Sequence, residues 1–415
     1  MKKYTALLLA LSMLAGVFAF SGCSESNEQP GGETSQESNS ESSSDASQTS
    51  ENTISDISAT ESKPDISSEK LAQLNNFISK YNNIPDFNVK SEKIDAASIS
   101  KNKSISFVPD NSNDVFTQLV TKQFVTATKS AGFKNVYSDK SDGTPASYNA
   151  ALSKAVEKKS NIAVMYGDIN KDSVATQIET TQANGIKVLS AGYVGKDTKD
   201  HYVDYTIPID YQLCGKLMAD WTITRKKGKV NALALNNSDS TLSTSIYEGF
   251  ADEFKKYITQ GYCTVLSGSA IETGNGLSTK IKQAIDKDPN LNYIVVLDET
   301  MINDAISAVE QSGKKIHIIA TGGGTSAFTA AENGKIDMLV AQSYEWIAYS
   351  MVDYSLRVLG GKKLPDIQSV PVRVVNKASI KSDLEKTEYT DIDGFYEICF
   401  GANFVTGYRS LWGLS

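Results

Sequence analysis

From Ser104 onward the chain alternates short apolar runs with longer segments of helical periodicity, and this alternation constrains the fold more than any other feature. Residues 104–108 read as a buried strand. Phe116, Val120, Phe124, Ala127 and Ala131 then fall on one helical stripe, closed by Gly132. Strands are predicted at 135–137, 162–165 and 187–190, with helices at 145–159 and 172–184 between them. After a polar excursion and a segment at 202–209, the pattern restarts. Helices are predicted at 211–224, 241–257, 276–286, 299–311 and 326–333, separated by strands at 229–235, 262–266, 293–297, 316–320 and 337–341. A helix over 345–359 and a strand over 370–375 complete the series. Short apolar strands alternating with helices make βαβ units and parallel sheets. There are too many units for one open sheet. The restart near Asp210 therefore predicts an α/β chain with two Rossmann-like lobes, each built on a parallel central sheet.

The first hundred residues read differently. Lys2 and Lys3 precede an apolar run over 5–20, about 16 residues long and short of the roughly 20 that cross a bilayer. This is a secretory signal. It ends in Phe20-Ser21-Gly22-Cys23, which resembles the lipobox of bacterial lipoproteins, with Phe20 where Leu is preferred. The resemblance implies a signal peptide over 1–22, a lipid on Cys23 and attachment to the outer face of the bacterial cytoplasmic membrane. The alternative is an ordinary signal with a chance cysteine. Residues 23–67 are almost all Ser, Glu, Gln, Asn, Thr, Asp and Gly, too polar to offset their conformational entropy. They are expected to be a disordered spacer with a reach of roughly 35 Å. In 68–102, Leu71, Leu74, Phe77, Ile78 and Tyr81 predict a lead-in helix followed by a looser connector.

Composition narrows the function. A net charge of -8 with no basic stripe argues against nucleic acid as a partner. The chain has 2 histidines and no Ser/His/Asp set, phosphate loop or metal-ligand spacing, so no enzyme activity, cofactor or metal is expected. A glycosidase-like carboxylate pair is the enzymatic alternative. Cys214, Cys263 and Cys399 read as small buried apolar residues, with a Cys263–Cys399 disulfide as the alternative.

In doubly wound sheets ligands sit beyond the carboxyl ends of the strands. Those positions hold Asp110, Asn111, Asn113, Asp168 and Tyr193 in the first half. In the second half they hold Asn236, Asn237, Asp298, Glu299, Thr321, Gln342 and Tyr344. Neutral donors and acceptors, a few carboxylates and flat rings suit a polyhydroxy ligand. Strand ends are also polar for structural reasons, and Asn113 is a candidate N-cap for the helix carrying Phe116.

The strand–turn–helix over 105–116, Glu248-Gly249-Phe250, Asp298-Glu299-Thr300-Met301, and Glu332 to Ile336 leading to Gln342 resemble the type I periplasmic binding proteins. The likeness is to the ribose- and galactose-binding receptors of ABC importers and covers about 103–375. It implies a carbohydrate ligand captured between two lobes, a permease partner and a monomer. It also implies a three-segment hinge near 209–211, 342–344 and 368–370. The lobes would be 100–209 plus 343–369, and 210–342 plus 370–415. A lipoprotein sensor presenting a sugar-like signal is the alternative role. Carried over by position, Asn113 and Phe116 contribute from the first lobe, and Asp298 and Gln342 from the second. Tyr193 stands where the sugar binders have an Asp-Arg pair, Thr244 where they have an Arg, and Gly322 where they have an Asp. The expected ligand set is thus Asn113, Phe116, Asp168, Tyr193, Thr244, Asp298 and Gln342. The Gly322-Gly323-Gly324 run is either a tight turn or a backbone seat for an anionic group.

Overall fold

The computed structural model describes residues 55–59, 63–167, 169–191, 201–238, 240–268, 276–366, 369–386 and 399–414, all within one unit spanning 53–415. Cys23, Asp168 and Tyr193 lie outside the described residues.

The chain begins with strand β1 (Ile57–Ser58), helix α1 (Ser68–Ser79) and the short helix α2 (Ala96–Ser100). The first α/β half follows: β2 (Ser104–Pro109), α3 (Val115–Ser130), β3 (Asn135–Ser138), α4 (Pro145–Glu157), β4 (Ile162–Tyr166), α5 (Ala175–Ala183), β5 (Lys187–Ala191) and β6 (Tyr205–Ile207). Its strands form a sheet of order β3-β2-β4-β5-β6 in which every pair is parallel. The helix predicted from residue 172 opens as a 3-10 turn, Lys171–Val174, before α5.

The second half runs α6 (Tyr211–Lys226), β7 (Lys229–Asn237), α7 (Thr241–Tyr257), β8 (Gln260–Gly268), α8 (Leu277–Lys287), β9 (Tyr293–Val296), α9 (Ile302–Ser312), β10 (His317–Gly322), α10 (Thr325–Glu332) and β11 (Met338–Gln342). Then come α11 (Tyr344–Leu359), β12 (Val372–Val375), α12 (Lys377–Leu384) and α13 (Asn403–Leu411). The second sheet has the order β1-β8-β7-β9-β10-β11-β12. Its core is parallel, with β1 and β12 added antiparallel at the two edges. The expected two-lobed, parallel α/β architecture is present. Strands buried on both faces, such as β9 (Tyr-Ile-Val-Val), explain why they read as continuous apolar runs rather than alternations.

The chain passes between the sheets where β6 leads into α6, where β11 leads into α11, and again on the way to β12. The backbone N–H of Val370 bonds the carbonyl of Pro208 at 3.1 Å, and that of Asp210 bonds Ser369 Oγ at 2.8 Å, so two of these passages lie side by side. α11 leaves the second sheet and packs on α3, β4 and β5 of the first.

Helices α6 and α7 touch backbone to backbone. A Cβ on Gly215 would lie 1.8 Å from the carbonyl oxygen of Ile246, and one on Gly249 would lie 2.0 Å from that of Gln212. This contact gives the Glu-Gly-Phe run its glycine.

Three expectations are corrected. The spacer does not stay unstructured to residue 67. Ile57–Ser58 pair with Tyr262–Cys263, and Val265 N–H donates to Asp56 Oδ1 at 2.8 Å, because Ile57 supplies the apolar contact that the preceding Ser/Glu run lacks. The connector holds α2, capped by Asp95. The tail does not remain with the second lobe. α12 packs on α10, but α13 packs on α11. Phe404 stacks on Trp346 (4.7 Å, 17°), Trp412 stacks on Tyr349 (5.6 Å, 7°), and Trp412 Nε1 donates to buried Asp353 at 2.9 Å.

Cys214, Cys263 and Cys399 are buried and free, so the alternative disulfide is absent. Burial pushes each thiol up to about 12. Among the described residues no helix is long and apolar enough to cross a membrane.

Candidate functional site

The carboxyl ends of the two sheets bring together most of the described candidate residues. In the first lobe, Asp110 follows β2 and accepts from the Asn111 N–H at 2.7 Å. Its carboxylate fills the space beside Gly167, where a Cβ would lie 2.0 Å from Asp110 Cγ. Asn111 Oδ1 accepts the Asn113 N–H at 3.0 Å, closing an Asx turn. Asp114, not Asn113, is the N-cap of α3, accepting the Thr117 N–H at 2.7 Å. That leaves Asn113 exposed at the turn. Phe116, in the first turn of α3, stands edge-to-face against the ring of Tyr344, the first residue of α11.

In the second lobe, Asp298 caps the 3-10 turn Glu299–Met301 and accepts from Thr300 N–H at 2.9 Å and Thr300 Oγ1 at 2.7 Å. Its other oxygen accepts from Asn237 Nδ2 at 2.7 Å, tying the ends of β7 and β9 together. Ser243 Oγ bridges Asn236 Oδ1 (2.9 Å) and the Asn237 N–H (3.1 Å). Thr244 is half-buried, and its hydroxyl donates back to the Ser240 carbonyl at 3.2 Å.

Glu299 decides against the anion-seat alternative for the glycine run. Its Oε2 accepts the backbone N–H groups of Gly323 (2.8 Å) and Gly324 (2.9 Å), and Tyr344 Oη lies 3.3 Å away. A Cβ on Gly324 would lie 2.0 Å from Glu299 Oε1. The glycines make room for a carboxylate from the same chain. The backbone seat for an external anion is already filled. Burial pushes the Glu299 carboxyl up, the two glycine N–H groups oppose that, and the charge of Asp114 adds to the rise. Asp114 is likewise raised, first by burial, with Asp298 adding repulsion.

Gln342 ends β11 and is 5% exposed. Its Nε2 lies 3.4 Å from Thr321 Oγ1, while its Oε1 is buried with no hydrogen-bond partner. An unmet buried amide oxygen costs about 1–3 kcal/mol. A fold carries that cost where something else completes the bond.

Asp114, Glu299 and Tyr344 were not in the expected ligand set. The glycine triplet after β10 was the available signal for Glu299, since it marks a place where something needs room. Among the described residues no group of three or more His, Cys, Asp or Glu could hold a metal ion. A cavity of about 950 Å³ lies elsewhere, between Phe77–Val89, α6, α7 and Ser369–Val372, and none of the described ligand candidates lines it.

Two lobes with parallel sheets, linked by passages that lie side by side and lined with polar strand ends, define a type I binding-protein fold. Residues 105–363 match the family described as periplasmic binding protein domain, and the chain belongs to that family. A ribose import binding protein of Bacillus subtilis (strain 168) is 22% identical over 217 residues, which is 51% of this chain and 68% of that protein. An ABC transporter solute-binding protein from Agrobacterium vitis, solved with bound allitol, aligns with a TM-score of 0.60 at 16% identity, covering 69% of this chain and 99% of that one. A 5-methylthioribose transporter solute-binding protein from Thermotoga lettingae aligns with a TM-score of 0.60 at 16% identity, covering 76% and 95%. By their names these relatives are transporter binding proteins.

Proposed function

We propose that this protein is a lipid-tethered extracytoplasmic receptor that closes its lobes on a sugar or sugar-like polyol and delivers it to an ABC permease. The observation that carries the reading is the Oε1 of Gln342, a buried acceptor without a partner at the junction of the two lobes. A ligand hydroxyl would complete it. Asn113, Phe116 and Asp298 stand at the same strand ends, and Asp168 and Tyr193 belong to the proposed set on sequence grounds. Solved neighbours hold allitol, alpha-D-tagatopyranose and myo-inositol, which supports a small polyhydroxy ligand here. The passages at 209–211, 342–344 and 368–370 would form the hinge. Closure would be a population shift driven by contacts available only when both lobes meet the ligand. The lipid on Cys23 and the polar spacer behind it would hold the receptor near its permease.

The test is a thermal-shift panel of pentoses, hexoses, polyols and nucleosides on the mature chain freed of its lipid by starting at residue 24. The reading expects a concentration-dependent rise in Tm with at least one saccharide or polyol. A panel without any shift counts against it.

A further inference from the structure

We propose that the cleft takes a sugar- or polyol-sized ligand bearing a protonated amine, held by Asp114 from the first lobe and by Asp298 and Glu299 from the second. This rests on the reading that the cleft binds a saccharide-like solute, and adds to it the charge of that solute.

The three carboxylates share one region. Asp114 lies two residues before Phe116, whose ring meets Tyr344, and Tyr344 Oη lies 3.3 Å from Glu299 Oε2. Asp298 is the neighbour of Glu299. None of the three takes part in an ion pair among the described residues. Their described partners are neutral: the Thr117 N–H, Asn237 Nδ2, the Thr300 N–H and hydroxyl, and the N–H groups of Gly323 and Gly324.

These three are half-buried, whereas fully buried carboxylates elsewhere in the protein are matched with cations. Asp353 meets Arg357 at 2.9 Å, Asp383 meets Arg373 at 2.8 Å, Asp139 meets Lys158 at 2.7 Å, and Glu253 meets Lys216 and Lys256. Among the described residues, negative charge from both lobes meets no cation in the cleft. Mutual repulsion adds to burial in raising the carboxyls of Asp114 and Glu299. A cation between the lobes would reverse that repulsion and favour the closed form.

Gln342, whose open acceptor also carries the saccharide reading, supplies a further sign. Its unpartnered Oε1 is an acceptor, and its backbone carbonyl packs on Gly323, where a Cβ would lie 2.3 Å from it and 3.0 Å from Tyr344 Oη. The region therefore offers acceptors beyond those its own donors use. An ammonium group brings three donors and no acceptor. Among the described residues no group of three or more His, Cys, Asp or Glu could hold a metal ion, which favours an organic cation.

The test compares matched pairs by calorimetric titration of the mature chain at low and high NaCl. The pairs are D-glucosamine with D-glucose, D-galactosamine with D-galactose, and 1-amino-1-deoxy-D-sorbitol with D-sorbitol. The inference expects at least one amine to bind about tenfold more tightly than its neutral partner, a modest charge–charge contribution. It expects that advantage to shrink with salt and in Asp114→Asn and Asp298→Asn. Asparagine preserves an N-cap, so both variants should fold, as urea melts can verify. Neutral partners binding as well as the amines would overturn the inference and leave saccharide binding intact. If neither these pairs nor the wider saccharide panel bind, the saccharide reading falls, and this inference falls with it.

Discussion

Phe116 stands edge-to-face against Tyr344, and the hydroxyl of that tyrosine lies 3.3 Å from the carboxylate of Glu299. Phe116 belongs to the first lobe and Glu299 to the second, while Tyr344 opens the helix that passes between them. One aromatic residue thus links the two halves at the strand ends where the candidate site lies. Replacing Tyr344 with Phe keeps the ring contact and removes the bond to Glu299. The variant should keep its fold and change ligand affinity by about two- to tenfold, within the range of one hydrogen bond to a charged group. Calorimetric titration measures it, and an unchanged affinity would show that the bond plays no part in closure.

Gly249 sits 2.0 Å, measured from a built Cβ, from the Gln212 carbonyl oxygen. Gly249→Ala should therefore force α6 and α7 apart and cost about 1–3 kcal/mol. A urea denaturation series would show this as a lower midpoint at unchanged slope. An unaltered midpoint would mean the helices yield freely.

Most of the fold was legible in the sequence. The predicted strands and helices between 104 and 375 appear within a few residues of their places, because each buried strand is an apolar run and each helix carries a stripe. Three parts were not legible. Ile57–Ser58 is too short to show periodicity, and only its pairing with β8 makes it a strand. The destination of α13 depends on Trp346 and Tyr349, residues far away in sequence. The role of Glu299 depends on Gly323 and Gly324 turning their N–H groups toward it across two strand ends. Local pattern reports what is buried, and long-range pairing decides against what.

Trp412 is fully buried against Tyr349, and its Nε1 bonds Asp353, a carboxylate that also pairs with Arg357. Trp412→Ala should destabilise the body by about 3–5 kcal/mol through the cavity and the lost donor. Trp412→Phe should recover the ring packing but not the hydrogen bond, leaving a smaller loss. Thermal melts of the pair separate the two contributions, and equal losses would contradict the assignment.

Asp220 is fully buried, 3.4 Å from Lys216, which also serves Glu253, and neither carboxylate oxygen of Asp220 has a hydrogen-bond partner. Burial, followed by the Glu253 charge, pushes its carboxyl up to about 7 despite Lys216. A carboxyl raised in the folded state favours folding at low pH. Its contribution is lost as pH rises from about 4 through about 7. Asp220→Asn should therefore stabilise the protein at pH 8, by about 1 kcal/mol or more, with the gain vanishing near pH 4. Urea melts at both values test the sign, and a loss of stability at pH 8 would contradict it.

Cys23→Ala should move the protein from the membrane fraction to the soluble fraction when the full chain is expressed in a bacterium with its own signal. Continued tight association after carbonate washing would contradict the lipid anchor.

The central claim is that Gln342 keeps a buried acceptor open for a ligand. Gln342→Leu removes that acceptor while roughly keeping its volume. Paired measurements on the mature chain, a urea melt without ligand and a calorimetric titration with the saccharide or polyol found in the panel, test it directly. The account predicts unchanged or higher stability without ligand, by up to about 1 kcal/mol, together with at least a tenfold loss of affinity. A Gln342→Leu variant that binds as tightly as the parent would contradict the account.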